Sequence, residues 1–163
     1  MLLGILSDTH NELARTRVAV EVLRQAGVEG LIHCGDLAST PILEICSCLP
    51  LWFVFGNHDA DSASELKFAA AELHATCLGW GDVILLGGRT LGVVHGHLTL
   101  DIKRITRDSP EVLFCGHSHL AGELTIDGLR RINPGALHRA AKFTVAVFET
   151  TNSHVQWLEI PRS

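Results

Sequence analysis

Five apolar runs of strand length, each leading into a short polar motif, constrain this chain more than any other feature. Leu2–Leu6 runs into Asp8-Thr9-His10, Gly30–Cys34 into Gly35-Asp36, and Leu51–Phe55 into Gly56-Asn57-His58-Asp59. Thr90–His95 ends in His95-Gly96-His97, and Val112–Cys115 in Gly116-His117-Ser118-His119. Continuous apolar runs of this length, bounded by Gly and polar residues, predict strands buried on both faces, as in a parallel sheet. Helix-spaced patterns lie between them: Val18, Val22, Leu23 and Ala26 before Gly27, then Ile42–Leu49, then Ala63–Leu73. Alternating strand and helix predict an α/β architecture.

Beyond Thr76 the texture changes to short strand-like runs separated by glycine-rich turns. The runs are Asp82–Leu86, Thr90–His95, Val112–Cys115, Glu123–Ile126, Leu129–Ile132, Phe143–Glu149 and His154–Glu159. Gly87-Gly88 and Asp127-Gly128 are hairpin signals. One helix is predicted over Leu100–Arg107. The second half therefore predicts a more antiparallel sheet packed on the first, within one layered unit spanning residues 1–163.

With 163 residues, 47% of them apolar, the chain can bury a sizeable core. No run approaches the roughly 20 apolar residues of a membrane span, and Asp8 and His10 cut short the apolar start, which carries no basic region. The formal charge of −5 gives no general footprint for nucleic acid or anionic membrane. Five cysteines, odd in number and mostly in apolar stretches, fit neither a disulfide framework nor a zinc finger and point to a reducing, cytoplasmic setting. Trp52, Trp80 and Trp157 read as core or interface residues.

Ten histidines, many of them beside Gly or Asp, are the compositional anomaly. Asp8-Thr9-His10 or Gly35-Asp36 alone is an ordinary cap or turn, and Gly116-His117-Ser118-His119 alone reads equally as a turn or a metal site; what matters is that each motif follows a strand. Loops at the carboxyl ends of strands in an open α/β sheet converge on one crevice. Asp, Asn and imidazole without thiolate make a site of oxygen and nitrogen donors suited to Mn, Fe, Zn or Ni.

As a set, from Asp8 to His119 and on to Asn133-Pro134-Gly135, these motifs resemble the calcineurin-like metallophosphoesterases. Within that family the chain is similar to the small single-domain phosphodiesterases of bacteria and archaea, themselves similar to the retromer scaffold subunit. The resemblance implies a four-layer α-β-β-α sandwich, two mixed sheets flanked by helices, with a dinuclear metal centre. It implies that Asp8, His10 and His119 hold one divalent ion, that Asn57, His95 and His117 hold the other, and that Asp36 bridges them. Manganese is the first expectation for both ions, with Ni, Zn or Fe as alternatives. Two such ions carry about +4 against two carboxylates, leaving roughly +2 to attract a phosphate.

The expected reaction is hydrolysis of a small phosphodiester, and of monoesters, by a hydroxide bridging the ions, with Asp36 and Asn57 in the catalytic set. His58 is the expected general acid. Small phosphodiesterases of this group often carry Cys or another residue there, and the longer G-D-x-x-D-R motif of the larger phosphatases is missing after Asp36; Asp59 and Asp61 are the candidates to orient His58. Expected substrate contacts are Asn57, His97, Asn133 and Gly135. Lys103, Arg104, Arg107, Arg139 and Lys142 are rim cations that could select an anion or simply be solvated. His33, His74, His138 and His154, outside any motif, read as surface or satisfied structural residues. The expected partner is a small phosphate ester, with no nucleic acid and no membrane; a homodimer through a sheet edge or the Trp80 region is left open. The competing readings are a non-catalytic scaffold of the same fold, and a nuclease.

Overall fold

The computed structural model describes residues 1–162. Its strands are β1 (Leu2–Leu6), β2 (Gly30–His33), β3 (Leu51–Phe53), β4 (Thr76–Cys77), β5 (Gly81–Leu86), β6 (Arg89–Val94), β7 (Val112–Phe114), β8 (Gly122–Ile126), β9 (Leu129–Asn133), β10 (Phe143–Glu149) and β11 (His154–Ile160). Its helices are α1 (Leu13–Gln25), α2 (Thr40–Cys46), α3 (Ala63–Glu72) and α4 (Thr99–Arg107), with a 3₁₀ turn over Asn57–Ser62. One sheet has the order β11-β10-β1-β2-β3-β4, the other β5-β6-β7-β9-β8.

Strand alternation sorts the apolar residues of the first sheet. Leu3, Ile5, Ile32, Ala146 and Phe148 face the second sheet, where Leu91, Val93, Phe114 and Ile132 meet them. Leu6, Leu31, Leu51 and Phe53 face outward and are covered by Ala19, Val20, Leu23, Ile42 and Leu66 of the helices. On the far side, Ile105 of α4 packs with Val94 and Leu113. Each fully buried Leu, Ile, Val or Phe contributes about 1.5–3 kcal/mol, so both faces of the first sheet must be covered. The result is the four-layer α-β-β-α sandwich.

Two expectations are corrected. The second half does not form one antiparallel sheet: β10 and β11 return to the first, with β10 antiparallel to β1 and Leu3 opposite Phe148. Crossing back covers an edge of β1 that would otherwise leave backbone groups unpaired. Within the second sheet, β6, β7 and β9 run parallel, flanked by antiparallel β5 and β8. Helix α2 begins two residues earlier than its apolar pattern, because Pro41 in the first turn presets helical φ. It ends at Cys46 rather than Leu49.

Candidate metal centre

Parallel strands bring their following loops to one end of the sandwich. Asp8 follows β1, Asp36 follows β2, Asn57 follows β3, His95 follows β6, and His117 and His119 follow β7. Asp8, His10, Asp36, His117 and His119 all have positive φ, between 41° and 65°. This left-handed region costs a non-glycine residue free energy, and such strain persists where the surrounding structure imposes it. Five of the seven expected ligands are held this way.

The side chains converge on acceptor atoms. His95 donates Nδ1–H to the Cys34 carbonyl at 2.8 Å, which in the neutral ring leaves Nε2 as a lone pair. That lone pair faces Asn57 Oδ1 at 3.1 Å and Asp36 Oδ2 at 3.4 Å. His119 Nδ1 lies 3.4 Å from the Arg139 carbonyl, and its Nε2 is 3.1 Å from Asp8 Oδ1. Asp8 Oδ2 accepts from Ser7 Oγ at 2.6 Å and from the His117 N–H at 3.0 Å. Asp8 Oδ1 and His10 Nε2 are buried without a hydrogen-bond partner among the described residues. Acceptors facing acceptors in a buried site require a cation or a proton between them.

Three groups of potential ligand atoms lie within 4.8 Å of one another: Asp8, His10 and His119; Asp8, Asp36 and His95; and His10, Asp36 and His58. The first is one expected ligand trio. Asp36 joins both other groups, while Asn57 and His117 line the same cavity of about 440 Å³. Burial opposes the Asp36 charge, yet the His10 and His95 rings beside it and the His58 N–H hold the carboxyl well below its ordinary range. Burial likewise opposes a charged His95, but Asp36 raises the ring above its usual value. A metal ion would replace that proton.

Glycine is required at two approaches. A Cβ on Gly56 would overlap Asp36 Oδ1, and one on Gly116 would overlap Ser7 Oγ and come within 2.6 Å of Asp8 Oδ2. Gly116→Ala is therefore expected to push the His117–His119 loop off Asp8 and weaken metal binding by about 10–100-fold, the range for disturbed outer-shell contacts. Equilibrium dialysis checks this. Gly79→Ala, where a Cβ meets nothing within 4 Å and the positive φ adds backbone strain without a clash, should cost some stability but bind metal like the parent.

Several residues take tasks other than those expected. Asp59 does not orient His58: its carboxylate accepts the backbone N–H groups of Asp36, Leu37, Ala38 and Gly56 at 2.7–3.2 Å. Burial raises its pKa, partly offset by those same bonds. The Asn133 amide donates to the Gly116 carbonyl and Ser118 Oγ and accepts the Gly135 N–H. Asn133 and Gly135 therefore brace the metal loop instead of offering free donors to a phosphate. His97 lies outside the cavity lining, with its ring 5.4 Å from that of His95 and 6.0 Å from Trp80; burial and the neighbouring histidines lower its pKa. Asn57 is the one expected substrate contact that lines the cavity.

His58 lines the cavity, its ring 4.8 Å from that of His10. His33 is a satisfied structural residue: it bonds Thr9 and the Gly35 N–H, and burial lowers its pKa to about 3. His138, expected to be a surface or satisfied structural residue, sits beside the candidate ligands. It lines the cavity with Arg139, its ring is 4.8 Å from His10, and Nδ1 lies 2.8 Å from Glu12 Oε1. That contact, seconded by Arg15, lowers the Glu12 pKa. The only sequence signal was its position in the loop after β9, at the same sheet end as the ligands.

A sandwich with such a donor cluster at its strand ends defines the metal-centred α-β-β-α class of proteins. Residues 1–153 match the calcineurin-like phosphoesterase superfamily domain, and the chain belongs to that family. A phosphodiesterase of Methanocaldococcus jannaschii is 28% identical over 141 residues, covering 83% of each chain. A probable metallophosphoesterase of Bacillus subtilis is 28% identical over 172 residues, 95% of this chain and 89% of that protein. Among solved structures, an archaeal phosphodiesterase superposes with a TM-score of 0.86 at 23% identity, over 98% of this chain and all of that one. A single mutant of Vps29 from Entamoeba histolytica reaches 0.67 at 18% identity, over 99% and 100%. These two structures establish the likeness of fold.

Proposed function

We propose that the protein is a metal-dependent phosphoesterase that hydrolyses a small phosphodiester, and monoesters with good leaving groups, at a centre for two divalent ions. The observation that carries this reading is the set of buried polar atoms, His95 Nε2, Asn57 Oδ1, Asp36 Oδ2, Asp8 Oδ1 and His10 Nε2, turned on one another, with Asp8 Oδ1 and His10 Nε2 lacking a hydrogen-bond partner among the described residues. Asp8, His10 and His119 would hold one ion and Asn57, His95 and His117 the other, with Asp36 shared; manganese, then Ni, Zn or Fe, suits these donors. Bound there, two divalent ions would supply the charge that draws in a phosphate and the Lewis acidity that activates water.

The chain's own residues do the remaining work. The Cys34 and Arg139 carbonyls orient His95 and His119. Arg139 is the only Lys or Arg lining the cavity, so a small anion suits it better than a polyanion. His58 at the cavity wall would hand a proton to the departing oxygen. His138, with Glu12 holding its Nδ1, is a second proton carrier at the same wall. Vps29 likeness supports a scaffold only at the level of fold, and a scaffold has no use for two cavity histidines beside a full ligand set.

Ion counting by equilibrium dialysis tests the centre. The expected result is two ions per chain, falling by about one, or weakening by more than about 100-fold, in His119→Ala and again in His95→Ala. Two ions retained at parent affinity in both variants would contradict the ligand assignment. His58→Ala is expected to slow hydrolysis of an alkyl ester by about 10²–10⁴-fold and that of a 4-nitrophenyl ester by less than tenfold, because only the former leaving group needs a proton. Equal losses on the two esters would remove the acid role from His58. A selective loss in His138→Ala instead would transfer it there.

A further inference from the structure

A second cavity of about 500 Å³ shares His117 with the candidate metal cavity. Leu113 of β7, Arg131 and Asn133 of β9, and Leu124 and Ile126 of β8 line it from the sheet. Leu124 stands opposite Arg131, and Ile126 opposite Leu129. Ile102 of α4 forms one wall and Leu120 the other lip. Leu124 is 55% exposed and Leu120 73%, an apolar surface that folding alone does not bury. The carboxylate at this cavity, Glu123, is taken by Arg130 at 2.7 Å.

At its far end this cavity shares Ile102 and Arg131 with a hollow of about 620 Å³ lined by Lys103, Arg107 and one acid, Asp127. Lys103 and Arg107 are one helical turn apart on α4, and neither they nor Arg131 forms an ion pair among the described residues. Arg131 Nε is buried without a hydrogen-bond partner among those residues. Three like charges gathered this way in a chain of net charge −5 repel one another unless an anion joins them.

We propose that this groove holds one ester arm of the substrate: an apolar arm lying over Leu124 and Ile126, ending in a second anionic group held by Arg131, Lys103 and Arg107. The assignment rests on the phosphoesterase reading and names its substrate class, an amphipathic phosphodiester with a phosphate or carboxylate at the end of one arm. Arg131 stands opposite Leu113 of β7, the strand that leads into the loop carrying His117.

The test uses three 4-nitrophenyl phosphodiesters whose second arm is methyl, 4-phenylbutyl, or 4-phenylbutyl bearing a terminal phosphonate. It also uses 8-anilinonaphthalene-1-sulfonate as a fluorescent groove ligand of the metal-free full chain. For the parent protein, kcat/KM relative to the methyl ester should rise about tenfold with the apolar arm and about tenfold again with the phosphonate. Leu124→Asp should collapse both ratios towards one and weaken sulfonate binding at least tenfold. Arg131→Met combined with Lys103→Met should remove only the phosphonate increment. Should Leu124→Asp fail to fold, Leu120→Asp on the opposite lip gives the same readout.

Ratios that stay near one in the parent, or that the variants leave unmoved while sulfonate binding falls, would overturn the proposal. Self-association broken by Leu124→Asp, with the ratios unmoved, would assign the groove to a second copy and overturn it too. Sulfonate binding by a protein that turns over none of the three esters with any added metal would overturn the esterase reading itself, leaving the groove without its assigned occupant.

Discussion

Asp36→Asn is expected to lower phosphodiester hydrolysis on the order of 10³-fold, about 4 kcal/mol of transition-state stabilisation, while the chain stays folded. Asp36 Oδ2 stands 3.2 Å from His10 Nε2 and 3.4 Å from His95 Nε2, so one oxygen faces both groups of donors. The other oxygen accepts the His58 N–H at 2.9 Å, a bond that an asparagine carbonyl can keep. The substitution thus removes the shared charge and spares the loop. With manganese in excess, kcat/KM reads the loss and a thermal midpoint within a few degrees of the parent reads the fold. A loss below tenfold would contradict the proposed sharing of Asp36 between two ions.

Asp59→Ala has the largest expected effect on stability. Its fully buried carboxylate accepts four backbone N–H groups from two loops, and alanine leaves all four without an acceptor. A buried donor left unsatisfied costs about 1–3 kcal/mol. With partial relaxation the loss should reach about 4 kcal/mol or more, read as a lower midpoint in urea. Metal binding should weaken with it, because the loop carrying Asp36 and the turn carrying Asn57 are joined through this side chain. Asp61→Ala, at an exposed position two residues on, should stay within about 0.5 kcal/mol of the parent. Equal losses at the two positions would show that the Asp59 network does not hold the loops.

The residues legible in the sequence are those whose placement follows from local order. Asp8, Asp36, Asn57, His95 and His117 each follow a continuous apolar strand, and parallel pairing then forces their loops together. The sites missed depend on contacts with no local signature. His138 meets Glu12 across 126 positions of chain, and its burial against His10 exists only once β9 and β1 share one end of the sandwich. Asn133 reads from the sequence as a phosphate contact through its amide or the backbone N–H groups beside it; the fold uses that amide to bond the Gly116 carbonyl and Ser118 Oγ instead. The return of β10 to β1 was likewise hidden, since alternation reports which face is buried and not which sheet supplies the neighbour. The two-residue strand β4 is too short for any pattern to show.

The most direct measurement is hydrolysis of an activated phosphodiester and its matching monoester by metal-stripped protein, with Mn, Ni, Zn, Mg or nothing added back, beside His117→Ala treated alike. The expected result is no turnover without metal, recovery of diester hydrolysis with manganese or another transition metal, and no recovery in His117→Ala. Turnover by the stripped protein equal to that with metal, or full recovery in His117→Ala, would contradict a phosphoesterase built on this centre.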